Sequence, residues 1–140
     1  ISGVGTGGTI TGVGKYLKRK NKNIMVIAVE PESSAVISGL PPGQHLIQGI
    51  GAGFIPKNLD LEIIDKVLSI SNNSAFSYSR MLARLEGIAG GISSGAVLAA
   101  AIEINEDLSM EDKNTVIILP SFAERYLSTQ LFSEMSDEKN

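Results

Sequence analysis

Gly3-Val4-Gly5-Thr6-Gly7-Gly8-Thr9, with Ile10, Val13 and Leu17 repeating at helical spacing directly behind it, is the stretch around which the chain is organised. Glycines leave their backbone N–H groups unshielded by side chains. At a helix N-terminus those groups and the positive end of the dipole make a ready anion site. Thr6 and Thr9 add hydroxyl donors, so the stretch reads as a phosphate cradle. The local text leaves open whose phosphate. Gly3-x-Gly5-x-x-Gly8 fits a dinucleotide fingerprint, with Glu30 closing the next predicted strand where a ribose-binding acid would stand. That fingerprint also asks for a full strand before its first glycine, and only Ile1 and Ser2 precede Gly3. A ligand-free turn that lets a helix pack tightly on a sheet is the third reading.

Composition narrows the field. At 140 residues and 43% hydrophobic content the chain is one domain with a real core, a single α/β unit over 1–140. It has no cysteine and one histidine, His45. Disulfides, a thiolate nucleophile and Cys-ligated metals are excluded, and no metal site is expected. The lack of cysteine fits a cytoplasmic protein. The net charge of −3 attracts neither nucleic acid nor an anionic membrane. The one basic cluster, Lys15, Lys18, Arg19, Lys20 and Lys22, complements the C-terminal end of the first helix. The longest uncharged run, Gly87 to Ile102, is too short to span a bilayer. The chain starts at Ile1, where a strand ought to be finishing, and so reads as a fragment or as one piece of a cleaved protein.

Outward from the glycine loop, helix one is expected over Thr9–Lys20, with Gly12 and Gly14 tolerated for close approach to a sheet or ligand. Met25–Val29 reads as a buried parallel strand stopped by Glu30-Pro31. Residues 32–40 read as a short helix. Gln48-Gly49-Ile50-Gly51-Ala52-Gly53-Phe54 alternates glycine with apolar residues, which suits a backbone passing close to a ligand or partner. Lys66–Ile70 is a short strand. Ser71 or Asn72 caps a helix with Tyr78, Met81, Leu82 and Leu85 on its apolar face, ended by Gly87. Gly90-Gly91-Ile92-Ser93-Ser94-Gly95 opens another helix, with Ser93 or Ser94 as its N-cap. Val116–Pro120 is the last buried strand, and 134–140 is a frayed tail. Alternation of this kind argues a parallel sheet with helices on its faces, and ligands beyond the carboxyl ends of the strands.

Four segments in order carry a family match: Val4–Gly12, Ile47–Pro56, Gly91–Ala96, and Leu119-Pro120-Ser121 followed by Glu124–Thr129. Together they resemble O-acetylserine sulfhydrylase, the cysteine synthase of the fold-type-II pyridoxal phosphate (PLP) enzymes, over nearly the whole chain. This displaces the dinucleotide reading. The resemblance implies a tryptophan-synthase-β-like α/β fold with helices on both faces of a parallel sheet, truncated at the N-terminus. It implies that Gly5, Thr6, Gly7, Gly8 and Thr9 bind the phosphate of pyridoxal 5′-phosphate. It implies that Ser93 hydrogen-bonds the pyridine nitrogen; a serine leaves the ring neutral, a weaker electron sink that suits β-elimination better than transamination. Gln48 and Gly49 would belong to a loop at the active-site mouth that meets substrate and the C-terminal tail of serine acetyltransferase.

The implied reaction is β-replacement: acetate leaves O-acetyl-L-serine and sulfide adds to give L-cysteine. The implied assembly is a homodimer. Ala123 stands where the family usually has Gly, and Ala89-Gly90 replaces a bulkier pair. The larger departure is that the family's Schiff-base lysine belongs to an N-terminal region without counterpart here. No catalytic residue is therefore expected in this chain, and the isolated polypeptide is expected to be inactive. Alternatives are a cystathionine β-synthase-like core and a non-catalytic fragment that binds a phosphate or a partner.

Overall fold

The computed structural model describes residues 1–106 and 110–132; the tail expected at 134–140 lies outside them. Three parallel strands form a sheet in the order β1 (Ser2–Gly3), β2 (Ile27–Pro31) and β3 (Lys66–Ile70). Ser2 pairs with Ala28, and β2 runs in register with β3 from Ile27↔Lys66 to Pro31↔Ile70. Successive strand residues face opposite ways. Val26 and Ala28 join Val4, Ile10 and Leu59 in one core on the side of helix α1 (Gly8–Lys20). Ile27 and Val29 join Phe76, Ile92, Val97 and Ala100 in the other, under helices α2 (Asn72–Glu86) and α3 (Ile92–Asn105). Helices therefore cover both faces, as the alternation of elements predicts.

Strand β2 runs two residues past its expected end, through Glu30 and Pro31, and the reason is local. Val4 N–H donates to Val29 O, so the next β2 residue facing β1 is Pro31, which has no N–H to give. Val4 O accepts from Gly51 N–H instead, at 3.0 Å, and Gly51 lies against the Pro31 ring. Glu30 is only 1% exposed. Its carboxylate accepts Ile37 N–H (2.8 Å), Ser38 N–H (3.1 Å) and the Ser38 hydroxyl (2.5 Å). It organises 32–40 as a single 3₁₀ turn, Glu32–Ser34, plus a loop rather than the expected helix, and its carboxylate is turned to residues 37–38, away from the glycine loop.

Other elements depart from the sequence pattern too. Helix α1 buries Ile10 and Gly14, with Gly14 against Ile63 and Val26, while Val13 is exposed and a side chain at Gly12 would point into open space. Its basic end is tied down by Lys18–Asp65 and Lys15–Asp60 ion pairs, both 2.7 Å. Helix α2 is capped by Ser71, whose hydroxyl accepts Ser74 N–H, and ends at left-handed Gly87. Its buried stripe is Ala75, Phe76, Ser79 and Leu82; Leu85, expected inside, is 72% exposed. Small residues face α3 because Gly95 sits directly on Ala75 O and Ser79.

Helix α3 is apolar nearly all round and correspondingly buried. Residues 116–119 are extended but form no buried strand. One parallel rung joins them to Ile1 (Ile1 N to Val116 O, 2.7 Å; Ile118 N–H to Ile1 O, 3.1 Å), and Val116 is 70% exposed. Among the described residues no helix is long and apolar enough to cross a membrane.

Candidate functional site

The carboxyl ends of β1 and β2 open on the same edge. The β2–β3 crossover, residues 32–65, holds only single 3₁₀ turns and no α-helix. It is free to fold back over that edge and bring residues 48–54 against the glycine loop. Gly49, Gly51 and Gly53 all have positive φ, which is why glycine alternates here. The close approach foreseen for this backbone is to another loop of the same chain: Gly49 O occupies the space a Gly5 side chain would need. His45 Nε2 lies 2.8 Å from Gly51 O and braces the loop from behind.

The glycine loop ends at Gly7, the left-handed N-cap of α1 (φ 80°), and no side chain caps the helix. The first intrahelical bond is Thr11 N–H to Gly7 O at 3.1 Å. The N–H groups of Gly8, Thr9 and Ile10 precede it and have no helical acceptor; Gly8 reaches only Thr6 Oγ1, at 3.5 Å. No acidic residue occupies the first turn of α1, so the positive end of its dipole is left for a ligand.

A cavity of about 330 Å³ lies in front of these donors. Sites for small molecules fall at roughly 300–1,000 Å³. Gly5, Thr6, Gly7 and Thr9 line it, with Gln48 and Gly49 from the crossover and Ser93 from α3. Gly8 alone of the expected site residues stands outside the wall, exposed at the helix start. The N-cap of α3 is Gly91 rather than either serine. Ser93 and Ser94 therefore sit in the first turn, where Ser94 is sealed inside and its hydroxyl has no hydrogen-bond partner among the described residues. Ser93 is 3% exposed, and what it shows faces the cavity. Ser121, Arg125 and Tyr126 complete the wall. Arg125 and Tyr126 carry no role in the sequence pattern; their signals are that they follow Pro120-Ser121 closely and lie in the matching segment Glu124–Thr129. A larger cavity, about 660 Å³ between α1 and residues 113–118, is lined mainly by aliphatic side chains and gathers no comparable donors.

The donor set fits a phosphorylated pyridine. Backbone N–H groups and two threonine hydroxyls suit a phosphate. One neutral hydroxyl, Ser93, suits an unprotonated ring nitrogen. Among the described residues no Asp, Glu or Lys lines the cavity, so nothing there would hold the ring nitrogen protonated or form an imine.

Residues 1–121 match the family model described as pyridoxal-phosphate dependent enzyme. The chain belongs to this family. It is 54% identical over 147 aligned positions to cysteine synthase A of Salmonella typhi, across 99% of this chain and 46% of that protein. Among solved structures, O-acetylserine sulfhydrylase isoform 3 of Entamoeba histolytica superposes with a TM-score of 0.93 at 46% identity, over 94% of this chain and 39% of that one. The O-acetylserine dependent cystathionine beta-synthase of Helicobacter pylori gives 0.84 at 42% identity, over 94% and 42% respectively. The chain thus spans about half the length of the curated relatives it matches. These relatives place the fold among the fold-type-II enzymes and the cofactor as pyridoxal 5′-phosphate.

Proposed function

We propose that this chain supplies the phosphate- and ring-binding part of a cysteine synthase, which converts O-acetyl-L-serine and sulfide into L-cysteine and acetate. The observation that carries the reading is the single cavity walled by Gly5–Gly7, Thr9, Gln48, Gly49 and Ser93. Pyridoxal 5′-phosphate, when bound, supplies the electron sink for removal of the substrate α-proton. The chain's own part is binding and orientation. The N–H groups of Thr9 and Ile10 and the hydroxyls of Thr6 and Thr9 would hold the phosphate at the positive end of α1. Ser93 donates its hydroxyl proton to the ring nitrogen and keeps the ring neutral. Gln48 and Gly49 form the wall on the substrate side. Among the described residues no lysine lines that wall, so this part of the site carries neither covalent anchor nor general base.

Pyridoxine 5′-phosphate, which has phosphate and pyridine but no aldehyde, tests this without the lysine. Calorimetry should detect its binding, weakened by Ser93→Ala and abolished by competing inorganic phosphate. Absence of binding at millimolar ligand would sink the reading, and sulfhydrylase turnover by the isolated 140-residue chain would sink the claim of inactivity. A cytoplasmic location, a homodimeric enzyme and docking of a serine acetyltransferase tail at Gln48–Gly49 belong to the same proposal. The Helicobacter neighbour favours one second reading, a cystathionine β-synthase-like core taking homocysteine in place of sulfide. Competition between the two nucleophiles on the whole enzyme separates them.

A further inference from the structure

We propose that Tyr126 is a positioning residue that aims the Ser93 hydroxyl into the cavity; the inference rests on the ring-binding role just given to Ser93. Helix α3 begins without a side-chain cap, so something else must fix the direction of its first turn. The strip Ser121–Ala123 does so. It runs antiparallel to Ala89–Gly91, with Gly91 N–H donating to Ser121 O (3.0 Å) and Ala123 N–H to Ala89 O (2.8 Å). On its other side Gly91 O accepts Ser94 N–H (3.0 Å) and Gly95 N–H (3.2 Å), the first bonds of the helix. Gly91 is thus the joint between strip and helix, and Ser93 lies two residues beyond it.

Tyr126 locks that joint. Its ring and the Ser121 hydroxyl fill the space where a Gly91 side chain would be. Its phenol oxygen is 3.0 Å from Ser121 Oγ, and its carbonyl accepts Thr129 N–H (2.9 Å) and the Thr129 hydroxyl (2.6 Å), which hold the residue in place. The side chain is 7% exposed, and both it and Ser121 reach the wall that Ser93 reaches. Two hydroxyls share one mutual bond, so only one of their two protons remains for the cavity. Tyr126→Phe keeps the ring on Gly91 and removes only the bond to Ser121, freeing Ser121 to rotate and the joint to shift.

The test compares pyridoxine 5′-phosphate with benzyl phosphate, an aromatic phosphate that has no ring nitrogen. A well-aimed neutral hydrogen bond is worth a factor of roughly two to ten in affinity. Ser93→Ala and Tyr126→Phe should each weaken pyridoxine 5′-phosphate by about fivefold. The double variant should be no weaker than Ser93→Ala, and benzyl phosphate should bind all forms alike. Equal losses for both ligands, multiplicative losses in the double variant, or an unchanged Tyr126→Phe would each overturn the assignment.

Amide exchange on the ligand-free chain gives a second readout. Gly91 N–H should exchange several-fold faster in Tyr126→Phe while Thr11 keeps its rate; an unchanged Gly91 overturns the proposal. If the unsubstituted chain bound neither phosphate, the reading of Ser93 as a ring contact would fall, and the exchange result alone would decide whether Tyr126 locks the joint.

Discussion

Replacing Gly5 with alanine sets a methyl group on the carbonyl oxygen of Gly49. Both partners are backbone, and both are tied: Val4 N–H to Val29 O and Gly51 N–H to Val4 O, each 3.0 Å. Relieving the contact takes a shift on the order of 1 Å, enough to break the Gly51–Val4 bond. Losing that bond costs about 1 kcal/mol, and overpacking strain of about 1–3 kcal/mol brings the total to roughly 2–4 kcal/mol. The stiffer unfolded chain of an alanine returns about 0.4–1 kcal/mol, so the sign stays destabilising. At about 4 °C per kcal/mol for a chain of this length, the midpoint should fall by roughly 4–14 °C.

Gly12→Ala is the control. Nothing beyond the helix's own backbone lies within 4 Å of the new methyl, and an exposed helix interior gains about 0.8–1 kcal/mol, raising the midpoint by roughly 4 °C. Thermal unfolding by circular dichroism reads both changes. Calorimetry with pyridoxine 5′-phosphate should show a loss of about tenfold in Gly5→Ala, the worth of one displaced bond to a charged phosphate, and none in Gly12→Ala. If Gly5→Ala melts with the parent and binds as tightly, the two loops are free to separate and their contact does not shape the cradle.

Gly95→Ala drives a methyl into Ala75 O and Ser79 at the closest approach of α2 and α3. It should destabilise by about 1–3 kcal/mol despite the better helix former, and an unchanged urea midpoint would refute the packing argument. Asp65 governs an acid limb. Burial pushes its carboxyl up, but the Lys18 ammonium and the Val26 N–H outweigh this and hold it below the ordinary 3.8. A carboxylate depressed in the folded state adds stability above the unfolded value and loses it as pH falls through the folded one. The midpoint difference between the parent chain and Asp65→Asn should therefore be constant above about pH 5 and shrink below pH 4; a difference independent of pH would refute it.

The layer order was legible because Met25–Val29 is a continuous apolar run and α1 follows the glycine loop at once; those signals are local. The faces of α1 and α2 were legible only in part: Ile10, Leu82 and the close approach at Gly14 are as read. Periodicity selects large apolar residues, such as Val13 and Leu85, whereas the real contacts run through Gly14, Ala75, Ser79 and Gly95, which pack because they are small. The end of β2 was misread because Glu30 and Pro31 look like a stop. Their usual costs are met by residues 37–38 and Gly51, which no local pattern discloses. At the site, the glycine loop was readable from its own composition. Ser93 or Ser94 reads as a cap from its neighbours, although the cap is Gly91, and the ring role of Ser93 came only with the family resemblance. Tyr126 matters through Ser121 and Gly91, a relation that exists only once 89–91 and 121–123 lie side by side.

Gly51 taking the acceptor that Pro31 cannot serve joins two loops by one hydrogen bond. The cradle and the crossover then cannot open independently. Any phosphate that binds the first defends the second by the same free energy, about 2.7 kcal/mol at a hundred times its dissociation constant. Cleavage of the 41–55 segment by a protease, which follows the open fraction when reclosure is fast, should slow by as much as roughly a hundredfold under those conditions. The crossover would thus report ligand binding through its own survival, although Gly51 itself lies outside the cavity wall.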